Sequence, residues 1–81
     1  MLFVFSSDQQ AAFWMKDTFI PLSIAFIAAD GRILEIQDMQ PLSTDLHRPP
    51  SAYRYALEVN QGFLKSVKAG DRVEFQLGGR Q

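Results

Sequence analysis

A polar triplet, Lys16-Asp17-Thr18, interrupts an otherwise apolar stretch that runs from Phe13 to Phe26 and holds the only Trp and three of the seven Phe. Asp and Thr side chains bond readily to nearby backbone, and Pro21 lacks the N–H that a central ladder requires. The stretch therefore reads as strand, corner, strand. The corner sets three hydrogen-bonding side chains beside the largest aromatic, Trp14, an arrangement that a small ligand or a partner chain could use. It names no reaction by itself.

The flanking segments supply further strands. Met1-Leu2-Phe3-Val4-Phe5 is an uninterrupted apolar run, expected to pair into a sheet rather than trail in water. In residues 12–16, Phe13 and Met15 fall on one face and Trp14 and Lys16 on the other. Trp14 is then either a packing residue or the platform of a contact surface. In residues 22–28, Leu22, Ile24, Phe26 and Ala28 alternate with Ser23, Ala25 and Ile27, so neither face is fully polar and both should be covered. Asp30-Gly31 is a hairpin signal of the type I′ kind, in which both central residues need positive φ. The return strand, 32–38, places Ile33, Glu35 and Gln37 opposite Leu34, Ile36 and Asp38.

Residues 39–52 show no period, contain Pro41, Pro49 and Pro50, and form the long loop, which also carries His47. Tyr53, Tyr55, Leu57 and Val59 alternate with Arg54, Ala56 and Glu58 as one more strand. Asn60 can cap a short helix over residues 60–69, with Phe63, Leu64 and Val67 on its apolar face, Lys65 and Lys68 toward its carbonyl end and Gly70 as its exit. A last strand is expected over residues 72–77. The fold class these patterns predict is mainly β: a small antiparallel β-sandwich or half-open barrel of five or six strands with one short α-helix.

Composition removes several function classes. Eighty-one residues make one domain, 1–81, with one modest core, and the lack of cysteine excludes disulfides and thiolate metal ligands as the device that holds it. Eight basic and nine acidic residues give a net charge of −1 without a basic stripe, so no nucleic-acid partner is expected. No window approaches a transmembrane segment, and the chain reads as soluble with its compartment, cytoplasmic or exported, left open. One His and scattered acids make no metal site, and no Gly-rich phosphate loop is present, so no cofactor is expected. No catalytic residue can be assigned.

The candidate contact residues are Trp14, Lys16, Asp17 and Thr18, bordered by Glu35 and Glu58 if their strands approach the corner. Three readings follow. The first is a noncatalytic binding domain for a small polar ligand or a protein or peptide partner. The second is a small hydrolase or lyase-type enzyme that uses Asp17, Glu35 or Glu58 as general acid or base, with His47 delivered by the loop. The third is a structural domain in which Lys16 forms a partly buried salt bridge with Glu35 or Glu58.

Phe13-Trp14-Met15-Lys16-Asp17-Thr18, Ile20-Pro21-Leu22-Ser23-Ile24 with Phe26, Asp30-Gly31, and Tyr55-Ala56-Leu57-Glu58-Val59-Asn60 with Gly62 closely resemble the prokaryotic family catalogued as domain of unknown function 192. The likeness extends to the opening Met1-Leu2-Phe3-Val4-Phe5 and to Gly70-Asp71, and so covers nearly the whole chain. It implies a compact, mainly β domain with one small helix, often exported in bacterial relatives, and no established activity. Two departures stand out: members commonly carry Asn where Asp17 stands and Asp where Ser23 stands. The family also has a strand and an arginine, glycine, leucine and methionine motif ahead of the segment matching Met1. The chain is thus expected to be a shortened version with an open sheet edge, through which it would self-associate as a dimer.

Overall fold

A computed structural model describes residues 1–74. Four strands, β1 (Leu2–Gln9), β2 (Leu22–Ile27), β3 (Ile33–Met39) and β4 (Tyr53–Asn60), form one antiparallel sheet in the order β1-β4-β2-β3. β2 lies between β3 and β4 and is apolar on both faces apart from Ser23, which suits a strand covered on both sides. Ile24 and Phe26 join Met15, Met39, Tyr53 and Ala56 on one face, while Ala25 and Ile27 join Ile33 on the other.

The sheet is open. The expected sandwich or half-open barrel is not formed, and the described residues contain no helix. Instead of a second sheet, irregular segments cover each face. On the first face Phe13 and Met15 descend onto an aromatic cluster in which the Phe26 and Tyr53 rings lie 4.9 Å apart and the Phe13 and Phe26 rings 6.1 Å apart. The Tyr53 hydroxyl donates to the Ala11 carbonyl at 2.8 Å and ties this cover to the sheet. On the second face Leu64, Val67 and Val73 pack against the Ile27 cluster.

The expected helix over 60–69 is replaced by successive reverse turns, in which Phe63 N–H donates to Asn60, Lys65 to Gly62 and Val67 to Leu64. Gly62 has φ of 88°, outside the right-handed helical region, and breaks any helix at its first turn. Phe63, assigned to the helix's apolar face, is accordingly exposed, and only Leu64 and Val67 reach the core. The expected strand at 12–16 is likewise reduced to a single bridge between Phe13 and His47, although its alternation holds, with Met15 buried and Trp14 exposed. The expected last strand, 72–77, lies largely outside the described residues; Arg72 forms one bridge to Arg32.

Two bulges reverse the alternation expected of the return strands. Between the Phe26–Glu35 and Ile27–Ile33 pairs, β3 carries the extra residue Leu34, so Ile33 joins the second face and Leu34 packs toward the first. On β1, the five steps from Val4 to Gln9 face only the two from Tyr55 to Tyr53 on β4. On β4, Tyr53 and Ala56 share the first face, with Tyr55 and Leu57 on the second.

The β2–β3 hairpin is present, but its turn is not type I′. Gly31 N–H donates to Ala28 O and Ala28 N–H to Arg32 O, so Ala29 and Asp30 are the central residues of the turn, and only Gly31 has positive φ, 90°. This is a three-residue loop closed by a glycine bulge. The Asp30 carboxylate accepts from Arg32 N–H at 3.0 Å, the chief reason its pKa lies below the ordinary carboxyl value. A Cβ on Gly31 would lie 2.4 Å from the Val73 carbonyl oxygen, whereas one on Gly62 would meet open space. Gly31→Ala is therefore expected to lose roughly 2–3 kcal/mol in urea unfolding and Gly62→Ala only about 1 kcal/mol. Equal losses would refute the proposed crowding at Gly31.

Candidate functional site

The corner is a reverse turn closed by Thr18 N–H donating to Met15 O at 3.0 Å, with Asp17 at φ of 61°. Positive φ at the third turn position is the mark of a type II turn, and Asp and Asn tolerate it better than most side chains. An Asn at position 17 would fit the turn as well. The long loop is fastened to the corner along its length: Phe13 and His47 exchange backbone hydrogen bonds at 3.0 and 2.7 Å, Met15 N–H donates to Ser43 O at 3.1 Å, and Leu42 N–H donates to Thr18 O at 2.8 Å. Leu42 has φ of 60°; it and Asp17 are the non-glycine residues with positive φ among those described, and they meet at this one junction.

Antiparallel pairing at Phe13–His47 makes Trp14 and Leu46 neighbours on the outer side. Trp14 is 51% exposed and Phe19 76%, and Ile20, Leu42 and Leu46 are each more than half exposed. The Lys16 ammonium lies 5.5 Å from the Trp14 ring centroid, an exposed cation–π contact of about 0.5–1 kcal/mol. The result is an apolar outer surface with one cation on its aromatic end.

Trp14, Lys16, Asp17 and Thr18 thus lie together on the corner. Glu35 and Glu58 sit on opposite sides of β2, facing Phe26 and Ile24 in the register. Glu35 accepts from the Gln37 amide, which also donates to Arg48 O at 2.8 Å. Glu58 lies in a depression with Met1, Leu22 and Phe63, where burial raises its carboxyl pKa more than the Met1 ammonium lowers it. Among the described residues the ion pairs are Asp8–Arg54, Lys68–Asp71 and Asp30–Arg72, so the expected bridge from Lys16 to Glu35 or Glu58 is not made. His47 is held under the corner by its backbone, and its Nε2 is buried with no hydrogen-bond partner among the described residues.

A second constellation escaped the sequence reading. On the other face of the sheet, buried Ser23 of β2 donates its Oγ–H to Asp38 Oδ1 of β3 at 2.6 Å, at the wall of a cavity of about 260 Å³. Lys65 and Lys68, from the turns after β4, also line it. The signal available was a lone hydroxyl in the most apolar strand of the chain.

Residues 1–75 match the family DUF192, described as an uncharacterized ACR. The chain belongs to this family. Two solved structures from bacteria share the DUF192 fold of this chain. A candidate transcription regulator from Sinorhizobium meliloti 1021 is 39% identical with a TM-score of 0.86, over 91% of this chain and 60% of its own. A protein of unknown function from Novosphingobium aromaticivorans DSM 12444 is 32% identical with a TM-score of 0.86, over 93% of this chain and 56% of its own. The chain therefore spans less than two thirds of either protein. No curated protein matches it. No helix among the described residues is long and apolar enough to cross a membrane.

Proposed function

We propose that this DUF192 domain is a noncatalytic binding module for a polypeptide, with the corner of Trp14, Lys16, Asp17 and Thr18 as its contact face and Phe19, Ile20, Leu42 and Leu46 as the extension of that face. The observation that carries the reading is the exposure of five large apolar side chains on two segments that hydrogen bonds hold together. Contiguous exposed apolar surface on a small protein favours partner contact, and an exposed aromatic is the usual energetic anchor of such a contact. The left-handed backbone at Asp17 and Leu42 supports it, since strain of this kind collects at functional positions. A regulatory role like that ascribed to the S. meliloti relative would, on this reading, run through protein contacts at the corner. Selection of displayed peptides against the whole chain tests the proposal. Enriched peptides are expected to bind with affinity reduced about tenfold or more in Trp14→Ala and Leu46→Ser. Peptides indifferent to both substitutions would refute it.

Self-association through β1 is the accompanying proposal. β1 is an outer strand of the sheet, and Val4 is half exposed, while the bulge and the polar Ser6, Ser7 and Asp8 leave only the Leu2 to Phe5 part of the edge suited to pairing. Sedimentation velocity is expected to show a concentration-dependent dimer that Val4→Lys removes. A single monomeric species at every concentration would overturn it.

A further inference from the structure

The Ser23–Asp38 cavity lies on the face of the sheet opposite the corner, and its walls differ in charge. β2 and β3 pair Ser23 directly with Asp38. Ser23 is 3% exposed and its one hydroxyl proton is used on Asp38 Oδ1, which anchors the exposed carboxylate and leaves Oδ2 without a donor among the described residues. The turns after β4 line the cavity as well. There Lys68 is engaged with Asp71 at 3.4 Å, whereas the Lys65 ammonium has no ion pair among the described residues. Ile36, Leu64 and Val67 line the same depression.

An exposed carboxylate anchored through Ser23, an exposed ammonium with no ion pair among the described residues, and half-buried aliphatic side chains lining the same depression match a small molecule that carries both charges and a short apolar group. The volume of about 260 Å³ falls below the roughly 300–1,000 Å³ of sites for drug-sized ligands, so the occupant is small. We propose that this cavity binds a free aliphatic α-amino acid, its ammonium on Asp38 Oδ2, its carboxylate on Lys65 and its side chain against Ile36, Leu64 and Val67. Each charged group then meets a partner of opposite sign in a charge-assisted contact, and the Asp38 partner is already oriented by Ser23. The site is independent of the corner, and the proposal stands whether or not the corner binds a polypeptide.

The test is a titration of the ¹⁵N-labelled chain, followed by NMR, with L-leucine, N-acetyl-L-leucine and L-leucinamide. L-leucine is expected to give saturable shifts at the amides of Ser23, Asp38, Gly62 and Leu64. N-acetyl-L-leucine, which lacks the ammonium, and L-leucinamide, which lacks the carboxylate, should bind about tenfold or more weakly. Asp38→Asn should lose leucine binding, while the control Asp45→Asn in the long loop retains it. Failure of L-leucine to saturate, equal binding of either analogue, or shifts centred on Trp14 and Leu46 would each overturn the proposal. Because the analogues are compared on the unaltered chain, the outcome does not depend on the variant's folding.

Discussion

The backbone pairing between the corner and the long loop is the interaction on which the first face of the domain depends. Residues 10–20 and 40–48 have no regular structure of their own, and their N–H and C=O groups need partners once side chains between them are buried. The Phe13–His47 exchange, with the bonds from Met15 to Ser43 and from Leu42 to Thr18, supplies those partners. Each hydrogen bond adds only about 0.5–1.5 kcal/mol net, whereas burying Met15 or a comparable side chain contributes about 1.5–3 kcal/mol. Burial therefore drives the cover onto Phe26 and Tyr53, and the hydrogen bonds fix its register. Once that register is set, Trp14 and Leu46 have no inward position left and must face water.

β2 divides the molecule into two surfaces. Its alternation sends Ile24 and Phe26 under the corner and Ser23, Ala25 and Ile27 under the turns after β4. One strand thus supports an apolar outer surface through one cover and a polar-walled cavity beneath the other. The two covers share no side chain in their core clusters.

Much of the sheet was legible because its strands follow period two: the expected run at 22–28 becomes Leu22–Ile27, that at 32–38 becomes Ile33–Met39, and that from Tyr53 to Val59 ends one residue later at Asn60. Bulges at Leu34 and within β1 were not legible, since an extra residue changes which face a side chain takes without changing the local composition. The expected helix failed on Gly62, whose cost to a helix of about 1 kcal/mol was outweighed in the sequence pattern by an apolar stripe of which the turns bury only Leu64 and Val67. At the site, the grouping of Trp14, Lys16, Asp17 and Thr18 follows from adjacency in the chain. Leu42 and Leu46 join them only through long-range backbone bonds, and Ser23 meets Asp38 only through strand register; neither leaves a mark on one sequence.

Amide hydrogen exchange tests most directly whether the corner and loop form a fixed cover. The amides of Phe13, Met15, Leu42 and His47, all donors across the junction, are expected to exchange nearly as slowly as the central amides of β2 and β4. Exchange at those four positions as fast as in the exposed turn at Ser66 would contradict the account, because the outer surface of Trp14 and Leu46 would then have no rigid support.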